Sequence, residues 1–522
     1  MTKKEDGDRG DRRQWRSAKI GKTVVEQVPG WYYSSKRGGH EKENSGERSD
    51  AGGAELVTAR RGRSGGVGEV WRVAFPIVLT TASFTVMQFI DRMFLAWHSD
   101  VALRAALPAG MLALTFTTFF QTLAGYSSTF VAQWYGAGRR RECASAAWQG
   151  VWMGLATWPF CVLLVPVGRW LLGLAGHDPA MLAAERTYYS ILAAAGGLAA
   201  ASHALTGFFG GRGDTLTPLW ANVAGNVLNV VLDYALIFGK WGAPRMGIAG
   251  AAWGTVLSMA FSAAWLALQF AGRKNRREYA ILEEWRPRKK GLADLCRFGV
   301  PGAVHSVLDL ASFALFLVVV GRLPALDVAV NNIAFSVNNV AFMPLLGMSI
   351  AAQILVGQYQ GARDSESAVR AASNAMKMAW VYIGALSVTF LLLPRMYLGL
   401  FARGGAGFGV EELMTKGRWL LAILAGWGMV DAMTIVLSGA LKGAGDTRFV
   451  LWFSLLTNWL LWMPGIFALA WFYGDDALMP QWLWMWGNVI IMGLGFGWRF
   501  RGGKWKKIEM IHAVPEAQET LS

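Results

Sequence analysis

GRGDTLTPLWANVAGNVLNVVLDYALIFGKWGAPRMGIAGAAWGT, residues 211–255, holds the pattern from which the fold can be read. An apolar run at its centre carries Asn222, Asn226, Asn229 and Asp233, spaced by four, three and four residues. At about 100° per residue these four side chains fall in one narrow stripe of a helix. The remaining faces carry Val, Leu, Ala and Ile. A helix that is apolar on most sides, with one stripe of amides and a carboxylate, turns that stripe toward a wet cavity inside a membrane protein.

The rest of the chain agrees with this setting. Of 522 residues, 54% are hydrophobic and only 16% charged, and the mean hydropathy is +0.32; an average soluble protein carries about 25% charged residues. The apolar residues gather into twelve runs at 71–97, 108–134, 143–168, 180–206, 216–238, 247–271, 298–321, 328–356, 367–394, 411–440, 449–473 and 480–500. About 20 residues of helix cross the ~30 Å of hydrocarbon in a bilayer. In lipid the backbone must satisfy its own hydrogen bonds, so the runs are read as helices. They are continuous and far longer than the ~11 alternating residues of a membrane strand.

The net charge of +15 is informative through its placement. With the N-terminus in the cytoplasm, the inner connections hold Arg139–Arg141, Arg212, the run from Arg273 to Arg297, Arg363, Lys442 and Arg448, and then Arg501, Lys504, Lys506 and Lys507. The outer connections are poorer, with Lys240, Arg245, Arg322 and Arg403 scattered and none beside Asp475 and Asp476. Positive charge collects on the cytoplasmic side, so both termini are placed inside and the basic loops are read as topology and lipid contact, not as a nucleic-acid site. Cys143, Cys161 and Cys296 form no disulfide framework or CxxC signature, and the six histidines have no metal-ligand spacing.

The second half of the chain repeats the first. RVAFP, ending at Pro76, matches CRFGVP, ending at Pro301; AQWYGAGR from Ala132 matches GQYQGARD from Gly357; GRGDT at 211–215 matches GAGDT at 443–447. The offsets are 225, 225 and 232 residues. The predicted fold is therefore all-α and integral to the membrane, with twelve transmembrane helices in two six-helix lobes. Six is even, so both lobes cross in the same sense and are related by a pseudo-two-fold axis along the membrane normal. The expected organisation is a disordered basic cytoplasmic tail (1–68), an N-lobe (69–271), a cytoplasmic linker (272–297), a C-lobe (298–500) and a C-terminal cytoplasmic tail (501–522). GxGDT itself is read as structural, with glycine in a tight turn and Asp or Thr capping the next helix.

Acids in mid-membrane cost roughly 2.5–3.5 kcal/mol on insertion scales and are rarely idle. Asp91 and Asp233 lie toward the outer ends of helices that both start inside, so they sit at similar depth and can share a site, with Asn226 and Asn229 on the Asp233 face. Asp309 and Asp431, nearer mid-membrane, are candidates for a second acidic site. Gln88, Asn226, Asn332 and Asn339 are candidates for lining the cleft between lobes; polar contact between helices is the competing reading for the Asn332, Ser336, Asn339 series. Two carboxylates with amide oxygens make a pocket for a small monovalent cation or for protons. Either would couple an ion gradient to a conformational change.

Residues 76–91 (PIVLTTASFTVMQFID), the AQWYGAG stretch, GRGDTLTP, and NVLNVVLD followed by GIAGAAWGT together resemble the MATE (multidrug and toxic compound extrusion) family over about residues 70–500. The resemblance implies export of cationic or other amphipathic small molecules in exchange for Na⁺ or H⁺, with no other cofactor. It places a cation site, including any Na⁺, on Asp91, Asn229, Asp233 and Thr255. It also matches Asp309 and Asp431 to acids that some bacterial members use in helices 7 and 10, although some of those members have Glu where this chain has the shorter Asp309. The expectation is a monomeric bacterial inner-membrane antiporter, in contact with the lipid bilayer and with no nucleic-acid partner. A lipid-linked oligosaccharide flippase is the nearest alternative, but it calls for a cleft of Arg and Lys for a pyrophosphate. A membrane acyltransferase would need a His with an acidic partner, whereas His203 and His305 stand alone in apolar runs, packed or hydrogen-bonded. A pore is disfavoured by the two-lobe plan.

Overall fold

The structure, a computed structural model, describes residues 64–403 and 408–511. Most of the predicted N-terminal tail and residues 512–522 of the C-terminal one lie outside the described residues. Residues 64–68, assigned to the tail on sequence, belong to the packed fold. The Gly65 N–H donates to Glu69 Oε2 and to the Tyr359 hydroxyl, both at 2.8 Å, and the first helix begins at Val67.

The first lobe comprises α1 (Val67–His98), α2 (Asp100–Gly125), α3 (Ser127–Gly136), α4 (Arg140–Ala156), α5 (Trp158–Gly173), α6 (Pro179–Ala194), α7 (Gly196–Gly211), α8 (Leu216–Phe238) and α9 (Ile248–Phe270). After the short α10 (Arg273–Tyr279), the second lobe comprises α11 (Lys289–Val320), α12 (Ala325–Gly361), α13 (Ser365–Leu392), α14 (Pro394–Arg403) and α15 (Val410–Gly443). It continues with α16 (Thr447–Leu455), a π-helical turn at Leu456–Trp462, α17 (Met463–Tyr473) and α18 (Leu478–Arg501). Three predicted spans are each built from two helices, α2–α3, α4–α5 and α6–α7. Pro159 at the start of α5 removes a backbone donor. The glycine pair Gly196–Gly197 lets α6 and α7 bend by 43°.

Among the described residues ten helical segments are long and apolar enough to cross a bilayer, eleven with the bent α6–α7 pair. The twelfth span is α18, 24 residues long, whose Trp482, Trp484, Trp486 and Trp498 and glycines lower its hydropathy. The twelve fall in the order and positions of the twelve apolar runs. The second lobe has one continuous core, into which Val70, Val73 and Ala74 of α1 also pack. The first lobe divides its core among smaller clusters around Phe208, Ile237 and Tyr189. The connection between the lobes is ordered: Trp148 Nε1 donates to the Ile281 carbonyl at 2.8 Å, and the Arg288 N–H to Gln149 Oε1 at 2.9 Å.

The repeated motifs meet each other across the lobes, at the end of the molecule that carries Arg139–Arg141. A Cβ on Gly136 would lie 1.7 Å from the Gln358 carbonyl oxygen, and one on Gly361 would lie 1.8 Å from that of Gln133. Gln133 Nε2 donates to the Gly443 carbonyl at 3.1 Å, and Gln358 Nε2 donates to the Gly211 carbonyl at 2.8 Å. Each contact is the other's image under the duplication, as a two-fold relation requires. Only glycine admits so close a backbone approach. Further along α12 some side chains become exposed. Gly347 packs on Val78 of α1, whereas Ser336, Asn339 and Val340, which lie toward the same side of α12, are exposed.

In the GxGDT turns, Gly213 and Gly445 adopt φ of 84° and 92°, as expected of glycine. Asp214 accepts from the Thr217 N–H at 3.2 Å and caps α8. Asp446 does not cap α16; it takes both Nε and Nη2 of Arg499, at 2.7 and 3.2 Å, and ties α16 to α18. Beyond α18 the chain folds back over the same seam. Trp505 is buried and stacks on Phe500, and the buried Met510 receives Gln133 Nε2 on its sulfur at 3.1 Å.

Gly136→Val should force the seam open by about 2 Å or more, since carbon and oxygen need ordinary van der Waals separation. Spin labels at Arg141 and Glu366, exposed and on opposite lobes, read the effect. A distance distribution identical to that of the parent protein would show that the seam does not depend on this glycine.

Candidate functional site

The polar stripe on α8 divides by task. Asn222 Nδ2 donates to the Pro218 carbonyl of its own helix at 2.8 Å. Asn226 Nδ2 donates to Ser83 Oγ of α1 at 2.9 Å, so it joins two helices within the first lobe instead of lining the cleft freely. Asn229 and Asp233 are fully buried.

Asn229 sits between the two acids. In one amide orientation its nitrogen is 3.4 Å from Asp233 Oδ1. In the other it donates to Asp91 Oδ1 at 2.9 Å while its oxygen accepts from the Thr255 N–H at 3.2 Å. The second orientation satisfies both ends of the amide. Asp91, half-buried on α1, and Asp233 lie within hydrogen-bonding reach of each other. The Thr255 hydroxyl donates to the Ala251 carbonyl of α9 at 3.0 Å, so its oxygen lone pairs remain available. Gln88 is half-buried one turn before Asp91. All four residues of the proposed cation set are thus brought together from α1, α8 and α9.

Asp233 Oδ2 is buried and has no hydrogen-bond partner among the described residues. Buried carboxyl oxygens are otherwise almost always paired, because an unpaired one loses its hydration with no return.

The sequence reading missed the residues that shape this site. A Cβ on Gly254 would lie 1.9 Å from Asp233 Oδ1, so the carboxyl is held directly against the α9 backbone. Gly250, one turn earlier, packs on the Leu236 carbonyl in the same way. This small-xxx-small spacing was visible in the sequence and is the usual signal of close helix contact in membranes. Tyr188 of α6 lies within electrostatic reach of both acids, and no sequence signal singled it out.

The C-lobe acids are placed differently. Asp309 Oδ1 accepts from Asn458 Nδ2 of the π turn at 3.1 Å, and Asn458 Oδ1 accepts from Asn488 of α18 at 2.9 Å. Asp431, half-buried on α15, lies within electrostatic reach of Asp309. Asn332, Ser336 and Asn339 are exposed. The neighbouring Asn331 is the buried one, accepting from Trp482 Nε1 at 3.1 Å. His305, expected in the sequence to be packed or hydrogen-bonded, meets Ser454 Oγ at 3.1 Å.

The MatE family model matches this chain twice, at residues 76–235 and 301–467, one match in each lobe. A probable multidrug resistance protein NorM of Bradyrhizobium diazoefficiens is 30% identical over 78% of this chain and 88% of its own length. Its counterpart from Thermotoga maritima is 26% identical over 72% of this chain and 80% of that protein. Among solved structures, one described as the outward-facing conformation of a multidrug resistance MATE family transporter of the MOP superfamily superposes with a TM-score of 0.74. It is 20% identical and covers 85% of this chain and 97% of that one. The eukaryotic MATE transporter AtDTX14 superposes with a TM-score of 0.72 at 20% identity, covering 84% and 96%.

Gly254→Ala should cost about 1–3 kcal/mol through overpacking against Asp233. A thermal melt in detergent reads this as a lowered midpoint, whereas Gly487→Ala, where a Cβ meets open space, should leave the midpoint unchanged or raise it. Equal midpoints for the two variants would contradict the tight Asp233–α9 contact.

Proposed function

The chain belongs to the MatE family of transporters, and from that premise we propose that it exports cationic or amphipathic small molecules in exchange for Na⁺ or H⁺, by alternating access between its two lobes. The reading rests above all on one observation, the buried and unpartnered Oδ2 of Asp233 beside Asp91. Two carboxylates in contact repel each other unless a proton or a small cation lies between them. Asn229 orients Asp91, Gly254 admits Asp233 to the α9 backbone, and Thr255 offers a neutral oxygen. The set is hard and oxygen-rich, as a small monovalent cation prefers.

In the mechanism we propose, the described conformation faces outward. The basic end, placed in the cytoplasm by the positive-inside bias, is sealed by the Gln133–Gly361 and Gln358–Gly136 crossings, while Ser336, Asn339 and Val340 of α12, toward the other end, are exposed. The ion reaches Asp91 and Asp233 from outside and removes their repulsion, which favours release of the outgoing substrate. A ligand shifts a conformational equilibrium only by its differential affinity for the two states, so the acid pair must hold the ion more tightly when facing out. Substrate then enters between the lobes from the cytoplasm or inner leaflet after the seam opens. The names of the NorM relatives support drug-like compounds as the substrate class.

Export of an ethidium-like cation from proteoliposomes, with Na⁺ and pH gradients imposed separately, identifies the coupling ion. Asp233→Asn should lower gradient-driven export at least tenfold. Retention of the parent rate by that variant would remove Asp233 from the coupling site.

A further inference from the structure

The two lobes are built on one plan, yet their acids have different company. Lys442 was expected among the cytoplasmic loop charges; it lies instead in the last turn of α15, half-buried. A lysine near a helix end ordinarily extends its ammonium to water. Here Nζ turns back into the lobe and stands 3.5 Å from His305 Nδ1. An ammonium only donates, so His305 accepts at Nδ1 and its Nε2–H donates to Ser454 Oγ at 3.1 Å. Asp309 lies one turn beyond His305 on α11, within electrostatic reach of Lys442.

The surroundings fix both partners. The amide ladder from Asn488 through Asn458 presents a donor to Asp309, and Asn458 is carried on a π turn, a backbone irregularity that gathers at functional sites. Between His305, Asp309, Ser454 and Asn458 lies a cavity of about 10 Å³, the volume that one water's centre occupies. Among the described residues, three other ionisable groups stand near this cluster. Asp431 precedes it on α15 and acts on Asp309. The Tyr126 hydroxyl of the first lobe donates to the Lys442 carbonyl at 2.8 Å. Asp446, nearby in sequence, is engaged by Arg499. In the first lobe Arg92, next to Asp91, also acts on it electrostatically, but its side chain is exposed to the surroundings and not held inside the lobe.

We propose that Lys442 is a tethered counter-cation for Asp309, standing where a coupling ion would otherwise stand in the second lobe, so that ion coupling in this chain runs through Asp91 and Asp233. The inference rests on the antiport reading above. A tethered ammonium carries the same charge as Na⁺ but cannot leave, so the second lobe keeps a constant charge through the cycle. The lobes are thus alike in helices and unlike in electrostatics: the cation beside Asp91 is exposed, which leaves that acid pair to a mobile ion, whereas the second lobe encloses Lys442. The Tyr126 bond to the Lys442 backbone also places this residue at the seam that opens and closes.

Two readouts test the proposal. In detergent thermal melts, Lys442→Met should lower the midpoint by leaving Asp309 uncompensated, and Lys442→Met with Asp309→Asn should recover most of the loss. Strict additivity of the two substitutions would overturn the pairing. In reconstituted vesicles, the dependence of export on the coupling ion should have a Hill coefficient of about one, rising toward two in Lys442→Met as Asp309 becomes available to a second ion. Asp309→Asn alone should keep the parent steepness, whatever its rate. A parent coefficient near two that Asp309→Asn reduces to one would assign a mobile ion to the second lobe and refute the proposal. If Asp233→Asn transports normally, the antiport reading fails, while the melts still decide the Lys442–Asp309 pairing.

Discussion

The crossing of Gln133 over Gly361 and of Gln358 over Gly136 is the constraint from which the rest of the architecture follows. Membrane helices gain little from apolar burial against one another, since lipid is as apolar as they are. Close backbone approach and hydrogen bonds must therefore hold two lobes together. Here both act at once: each glutamine lends its backbone carbonyl to a glycine of the other lobe and its side-chain amide to a carbonyl of that lobe's GxGDT turn. The same logic operates inside each lobe, where Gly211 packs on the Ser128 carbonyl and Gly443 on that of Gln353. A hinge made of glycine contacts and a few amide bonds is tight when closed, and it leaves few strong bonds to break when the lobes separate. The C-terminal segment adds Met510 to that seam, so opening at the basic end must also displace it.

The proposed coupling site uses close contact for a different end. Gly254 brings the Asp233 carboxyl against the α9 backbone, and burial removes the water that would otherwise solvate it. An acid so placed is poorly satisfied by the protein alone, which is a cost to the fold that an ion can relieve. The second lobe meets the same difficulty with Lys442, His305 and an amide ladder. Duplication supplied two copies of one scaffold, and the charged residues set into them diverged. GxGDT shows the same divergence at a structural position: Asp214 caps a helix, while its equivalent Asp446 clamps Arg499.

Much was legible in the sequence. Twelve apolar runs, three motif pairs at nearly constant offset and the basic loops were enough for an all-helical, two-lobe membrane protein, because helix length in lipid and the sidedness of Lys and Arg are local properties. Asp91, Asn229, Asp233 and Thr255 could be grouped because their depth follows from helix register and the family resemblance named them. The α8 stripe could be divided in the sequence only by depth, with Asn229 and Asp233 toward the outer side for the ion and Asn222 and Asn226 for the path or for packing. Its residues differ further in what faces them: Pro218 for Asn222, Ser83 for Asn226, Asp91 and the α9 backbone for Asn229.

Composition and periodicity therefore determined the element types, their number, the duplication and which polar residues lie in the membrane, since each depends on spacing along one helix. Only the tertiary structure decided which of those residues meet. Lys442 looked like a loop charge because a residue at the end of an apolar run is normally solvated; the direction of its side chain follows from His305, which lies more than 130 positions away in the chain. Gly254 was not singled out in the sequence, and its role follows from the carboxyl that rests on it. Contacts between helices distant in sequence leave no periodic trace in either one, and for that reason the electrostatic difference between the two lobes became visible only in the assembled fold.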